Sequence, residues 1–143
     1  MKLLISEVLQ KAHNAKTKAE KIKILQQNNT PALRMIFIIN YDESIVSLMP
    51  EGSPPFNKNE APAGTEHTHL EHEARLLHHF FKGGSNLKPM KREQMFIQLL
   101  EGLHPDEADV IIKAKDKELG KRYKVTKATV SEAFPEIQWG GRS

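Results

Sequence analysis

The chain has 143 residues, a formal net charge of +3 and no cysteine. That length fits one domain with its own core, 1–143, and the absence of cysteine excludes disulfides, thiolate metal sites and thiol catalysis. No apolar run approaches the length of a membrane span, and the opening "MKLLISEVLQKAHNAK" breaks into helical periodicity rather than forming a signal peptide. The charge is unevenly placed. Residues 1–41 carry seven bases and two acids, residues 42–66 one base and five acids, and residues 67–100 five bases and three acids. Two basic lobes around an acidic segment suit an anionic partner.

Three short helices are expected first. Leu4, Ile5, Val8 and Leu9 repeat at helical spacing until His13-Asn14. Thr17, with Glu20 three residues on, predicts a capped start to the second helix, whose apolar face is Ile22, Ile24 and Leu25. Thr30-Pro31 starts a third, apolar nearly all round through Leu33, Ile36, Phe37 and Ile39 and therefore central. Residues 42–65, with four of the eight prolines, read as a long irregular loop anchored by Ile45 to Met49.

A helix opening at Thr65 or Thr68 and closing at Gly83-Gly84 comes next. Pro89 then opens a helix ending at Gly102. Pro105 opens one running to Gly120, and Thr126 opens the last, ended by Pro135. The tail 136–143 reads as loosely held, with Trp139 able to dock. No long two-residue alternation occurs. The predicted fold is all-α: a compact bundle of about six to seven short helices with one long irregular loop.

The segment "EHTHLEHEARLLHHFF", 66–81, holds five of the seven histidines and raises the question of a metal. His69 and His72 have ligand spacing, with Glu66 or Glu73 nearby, but the position that would complete HExxH is Leu76. Leu70, Ala74, Leu77 and Phe81 make a complete apolar stripe, leaving the histidines on the flanks. No metal centre and no cofactor are expected. Phosphate-loop, nucleophile-elbow and dinucleotide motifs are absent from the sequence, so no catalytic residue is assigned and a non-enzymatic protein is expected.

Basic residues gather at three predicted helix starts, where unpaired N–H groups and the helix dipole favour phosphate. These are Lys16 and Lys18 before the second helix, Lys88, Lys91 and Arg92 around Pro89, and Lys121, Arg122, Lys124 and Lys127 before the last helix. Lysine at a helix start opposes the dipole, a cost that a bound phosphate relieves. "LLEGLHPDEADVI" is similar to a helix–hairpin–helix, but His104 stands where the second glycine belongs, and Asp106 and Glu107 follow. Gly102 reads better as a helix end.

"KTKAEKIKILQQNNTPALRMIFIINYD", 16–42, resembles the start of the N-terminal helical DNA-binding domain of bacteriophage-type ATP-dependent DNA ligases, and "VTKATVSEAFPEI", 125–137, resembles its end. The ligase lysine motif KxDG is missing, and "KAKDKEL" at 113–119 is not its equivalent. The resemblance therefore implies a DNA-binding module without catalysis. "MFIQLLEGLHPDEADVIIKAKDKEL", 95–119, is similar to small uncharacterised proteins of tailed phages, including cyanophages. That likeness implies action in the cytoplasm of an infected bacterium.

The expected partner is double-stranded DNA, held by its backbone with little sequence preference. The alternatives are a phage factor that binds a host or phage protein within a larger machine, and a virion component. No membrane association is expected.

Overall fold

Residues 3–60 and 69–140 are described by a computed structural model. Its helices are α1 (Ile5–Asn14), α2 (Lys18–Gln27), α3 (Pro31–Tyr41), α4 (Leu70–Glu73), a 3₁₀ helix (Ala74–Phe80), α5 (Pro89–Gly102), α6 (Pro105–Lys115), α7 (Leu119–Arg122) and α8 (Lys127–Ala133). Among the described residues there is no strand, only an isolated antiparallel bridge between Ser47 and Phe81. The protein is all-α. No helix among these residues is long and apolar enough to cross a membrane.

The starts follow local chemistry. Thr17, Thr30 and Thr126 each accept the backbone N–H three residues on, from Glu20 (3.1 Å), Leu33 (3.2 Å) and Thr129 (3.2 Å). Glu20 reaches back to the N–H of Lys16 rather than to that of Thr17, so the expected capping box is displaced by one residue. Pro31, Pro89 and Pro105 occupy first helical positions, where no N–H is required.

Helix α3 is central. It packs on α4, the 3₁₀ helix, α6 and α8, while α1 packs on α2 and α6, α2 on α8, and α5 on α6 and the 3₁₀ helix. Ile36 and Phe37 are fully buried, and one apolar cluster extends from Ile5 to Ile137. Phe37 meets Phe134 at 6.1 Å between ring centroids, and Phe80 meets Phe96 edge-on at 5.0 Å.

Two expectations are corrected. The helix from Pro105 does not reach Gly120. It ends at Lys115, and Lys117 turns the chain with φ of 58° before α7, in which Gly120 lies. Three long-range hydrogen bonds hold this turn. Lys117 Nζ donates to the carbonyls of Ile39 (2.8 Å) and Asp42 (2.9 Å), and Asn40 Oδ1 accepts from Leu119 N (3.0 Å).

The histidine segment is not one α-helix. After Glu73 it tightens to 3₁₀ winding, which turns Ala74, Leu77 and Phe80 inward at a spacing of three. The expected openings at Thr65 and Thr68 lie outside the described residues.

The described part of the 42–65 loop is irregular but tied down. Lys115, only 4% exposed, donates from Nζ to Pro50 O and Gly52 O, both at 2.9 Å, and to Asp116 at 2.7 Å. Asp116 accepts from Gly52 N, and Glu101 from Asn57 N. The described tail also docks: Ile137 is buried, Trp139 is half-buried, and Gly140 N donates to the buried Asp42 at 2.8 Å.

Candidate nucleic-acid interface

Two of the three basic stretches meet. The α1–α2 turn lies against the segment joining α7 to α8, because Lys124 N donates to His13 Nδ1 at 2.9 Å across 111 residues of sequence. The His13 ring stands edge-on to Tyr123, 6.3 Å between centroids. Arg122 lies over the Tyr123 ring, its guanidinium carbon 4.6 Å from the centroid, and one of its nitrogens donates to Gln10 Oε1 at 3.4 Å. Tyr123 is buried, and burial raises its phenol above the ordinary pKa of 10.0, so the ring is a neutral platform at physiological pH. Lys21 completes the corner by donating to Ala12 O (2.8 Å) and His13 O (3.3 Å), satisfying the last carbonyls of α1.

Lys16, Arg122 and Lys124 are exposed on this junction. Lys18 is exposed too, but pairs with Glu132 of α8 at 2.8 Å, and Lys121 pairs with Glu118 at 3.4 Å. Exposed pairs of this kind are weak and leave the cation exchangeable with a phosphate. Lys127 extends over Trp139, 5.0 Å from the ring centroid.

The third stretch stands apart. Lys88 and Lys91 are exposed at the start of α5, whose packing partners are α6 and the 3₁₀ helix. No side chain caps this start and its first turn holds no acid. Arg92 is not part of this surface. It is 9% exposed and donates from Nε to His79 O (2.9 Å) and from Nη2 to Leu87 O (2.7 Å), joining α5 to the end of the 3₁₀ helix. The sequence placed Arg92 with its basic neighbours, but one helical position further on turns the side chain inward. His13 and Lys21 were the residues missed. Their only signal was their place beside the basic turn, since both roles depend on partners fixed by tertiary packing.

The helix–hairpin–helix-like stretch has a structural use. His104 Nδ1 accepts from Asp106 N at 3.0 Å, and Glu107 turns into the core at 1% exposure. Its Oε2 accepts from Ile5 N (3.0 Å) and its Oε1 from Leu70 N (3.1 Å). A single carboxylate thus caps the starts of both α1 and α4.

Among the described residues, no three His, Asp or Glu side chains come together as a metal site. His72 is exposed beside Glu73, and the His78 and His79 rings lie 4.0 Å apart. Nδ1 of His79 is buried with no hydrogen-bond partner. Desolvation, helped by His78 and Arg92, holds the pKa of His79 below its usual value. Glu66 and His67 lie outside the described residues.

An all-helical domain with a basic corner defines a broad structural class. Within it, the chain belongs to a family of unknown function, DUF6433, whose model matches residues 8–121. The match runs from α1 into α7 and leaves Arg122, Lys124 and Lys127 beyond its end. No curated protein and no solved structure matches the chain.

Proposed function

We propose that the protein is a non-enzymatic factor that binds duplex DNA by its phosphate backbone, with the corner between the α1–α2 turn and the α7–α8 segment as its main contact. The carrying observation is the His13–Lys124 bond, which draws basic stretches 111 residues apart onto one surface. Lys16, Arg122 and Lys124 supply the cations, Lys18, Lys121 and Lys127 flank them, and Lys88 and Lys91 form a separate second contact. The likeness of residues 16–42 and 125–137 to the ligase DNA-binding module supports the same reading, as does the basic charge of residues 1–41. A phage origin and action in the infected cell's cytoplasm go with the second sequence likeness.

Backbone contacts make binding salt-dependent and nearly indifferent to sequence. The test is a gel-shift titration with nicked, intact and single-stranded DNA at two salt concentrations. Lys16→Ala and Lys124→Ala should each lower the log–log salt slope by about one, the loss of one phosphate contact, equally for all sequences. Charge reversal of Lys124 alone should do more than reversal of Lys58, which is exposed in the 42–60 segment. Equal effects would reduce the interaction to diffuse charge. No binding at low salt would remove the proposal and leave a protein partner as the function to pursue.

A further inference from the structure

A cavity of about 340 Å³ opens between α3 and the 3₁₀ helix, and none of its lining residues belongs to the basic corner. Its walls are Met35, Ile38 and Ile39 of α3, Ile45 of the following segment, and Leu77 and Phe81. It exists because α3 is apolar nearly all round while its neighbours cover only part of it, leaving Met35 and Ile38 half-buried. Apolar wall left open to water favours an apolar occupant in proportion to the area it would cover.

The cavity mouth has one sign of charge. The ionisable side chains in the lining are Arg34, His78 and Lys82, and no carboxylate is among the described lining residues. Arg34 is held by a hydrogen bond from Nη1 to Asn29 Oδ1, and Lys82 is exposed. The lip is rigid. Gly83 has φ of 83°, and a Cβ on Gly84 would lie 1.9 Å from His78 O, so only glycine permits this approach. Leu48 N donates to Phe80 O (2.9 Å) and Lys82 N to Val46 O (2.8 Å), fixing the lip to the 45–49 segment.

We infer that this pocket binds a small single-chain amphiphile with an anionic head, the chain lying along Met35, Ile38 and Leu77 and the head meeting Arg34 and Lys82. The volume lies at the small end of pre-formed ligand pockets. Apolar walls under a cationic mouth fit that division of chemistry, and they disfavour a cationic amphiphile. Carboxylate and phosphate heads share the required charge, and the experiment separates them.

Methyl-detected NMR titration of the full chain, below the micelle concentration of each probe, tests the inference with decanoate, decyl phosphate, decanol and decyltrimethylammonium. Either anion should shift the Ile38, Ile45 and Leu77 methyls at saturable, submillimolar concentrations, and the tighter one names the head. Decanol should bind at least about tenfold more weakly, the equivalent of one charge-assisted hydrogen bond, and the cation more weakly still. The double variant Arg34→Gln, Lys82→Gln should lose about the same factor toward the anions and none toward decanol, with an unchanged circular dichroism spectrum as its folding control. No saturable shift with either anion would overturn the inference. So would equal binding of decanol or the cation, or anion binding that the double variant leaves unchanged.

Discussion

Removing the Glu107 carboxylate should be among the most damaging single changes in this protein. The group is 1% exposed and accepts two backbone N–H groups, from Ile5 at 3.0 Å and Leu70 at 3.1 Å. Both donors are first residues of helices, so neither has an intrahelical acceptor. In Glu107→Ala both are left buried without this partner. Each unsatisfied group costs about 1–3 kcal/mol, so the loss should be about 2–6 kcal/mol, a large part of the total for a domain of this size. Glu107→Gln keeps one good acceptor and turns an NH₂ toward the other donor, so about half the loss is expected. Asp106→Ala, one residue earlier and exposed, removes a first-turn charge and a 3.8 Å contact with the His104 ring and should cost less than about 1 kcal/mol. Urea unfolding followed by circular dichroism measures all three, provided the slope is unchanged. If Glu107→Ala costs no more than Asp106→Ala, the double-capping argument is wrong.

Lys115→Met should cost about 3 kcal/mol or more by stranding the Asp116 carboxylate and the Pro50 and Gly52 carbonyls, and limited proteolysis should then cut within 50–60 sooner than in the parent. His79 carries a pH prediction. Its folded pKa is below 6.5, so the unfolded chain takes up the proton more readily. Its contribution to stability is full above pH 6.5 and falls as the pH drops from there toward the folded pKa. Denaturant midpoints at pH 7.5 and 5.5 should therefore differ less in His79→Asn than in the parent, and an identical pH dependence would rule the residue out. Treating tag-free protein with a chelator should leave the melting temperature unchanged, since a structural metal would contribute folding energy directly. A large drop would place a metal ligand set on the histidine segment.

Helix starts were legible because their chemistry is local. Threonine at 17, 30 and 126 and proline at 31, 89 and 105 act within one turn of their own positions, and the structure puts helices there. The histidine segment was harder, since a stripe of Leu70, Ala74, Leu77 and Phe81 fits an α-helix while Ala74, Leu77 and Phe80 fit a 3₁₀ helix. Packing of Phe80 against Phe96 accompanies the second arrangement. Gly120 was read as a helix end by residue type. The real end at Lys115 and turn at Lys117 depend on carbonyls 63 to 78 residues away. For the basic residues, position along the chain located the clusters but not their orientation. Arg92 shares its neighbourhood with Lys91 and points the other way.

The exchange of helix ends between distant parts of the chain bears on how the protein folds. Short helices are marginal alone, and here several lack a complete set of terminal partners within their own segment. The start of α1 waits for α6, the start of α7 for α3, and the end of α3 for Lys117, two residues past α6. A transition state that secures these ends must first close loops of tens of residues, so folding should be slower than in helical bundles dominated by neighbouring contacts. Native-state hydrogen exchange should accordingly find the amides of Ile5, Leu70 and Leu119 opening together with the central amides of α3 rather than fraying first, as helix ends ordinarily do.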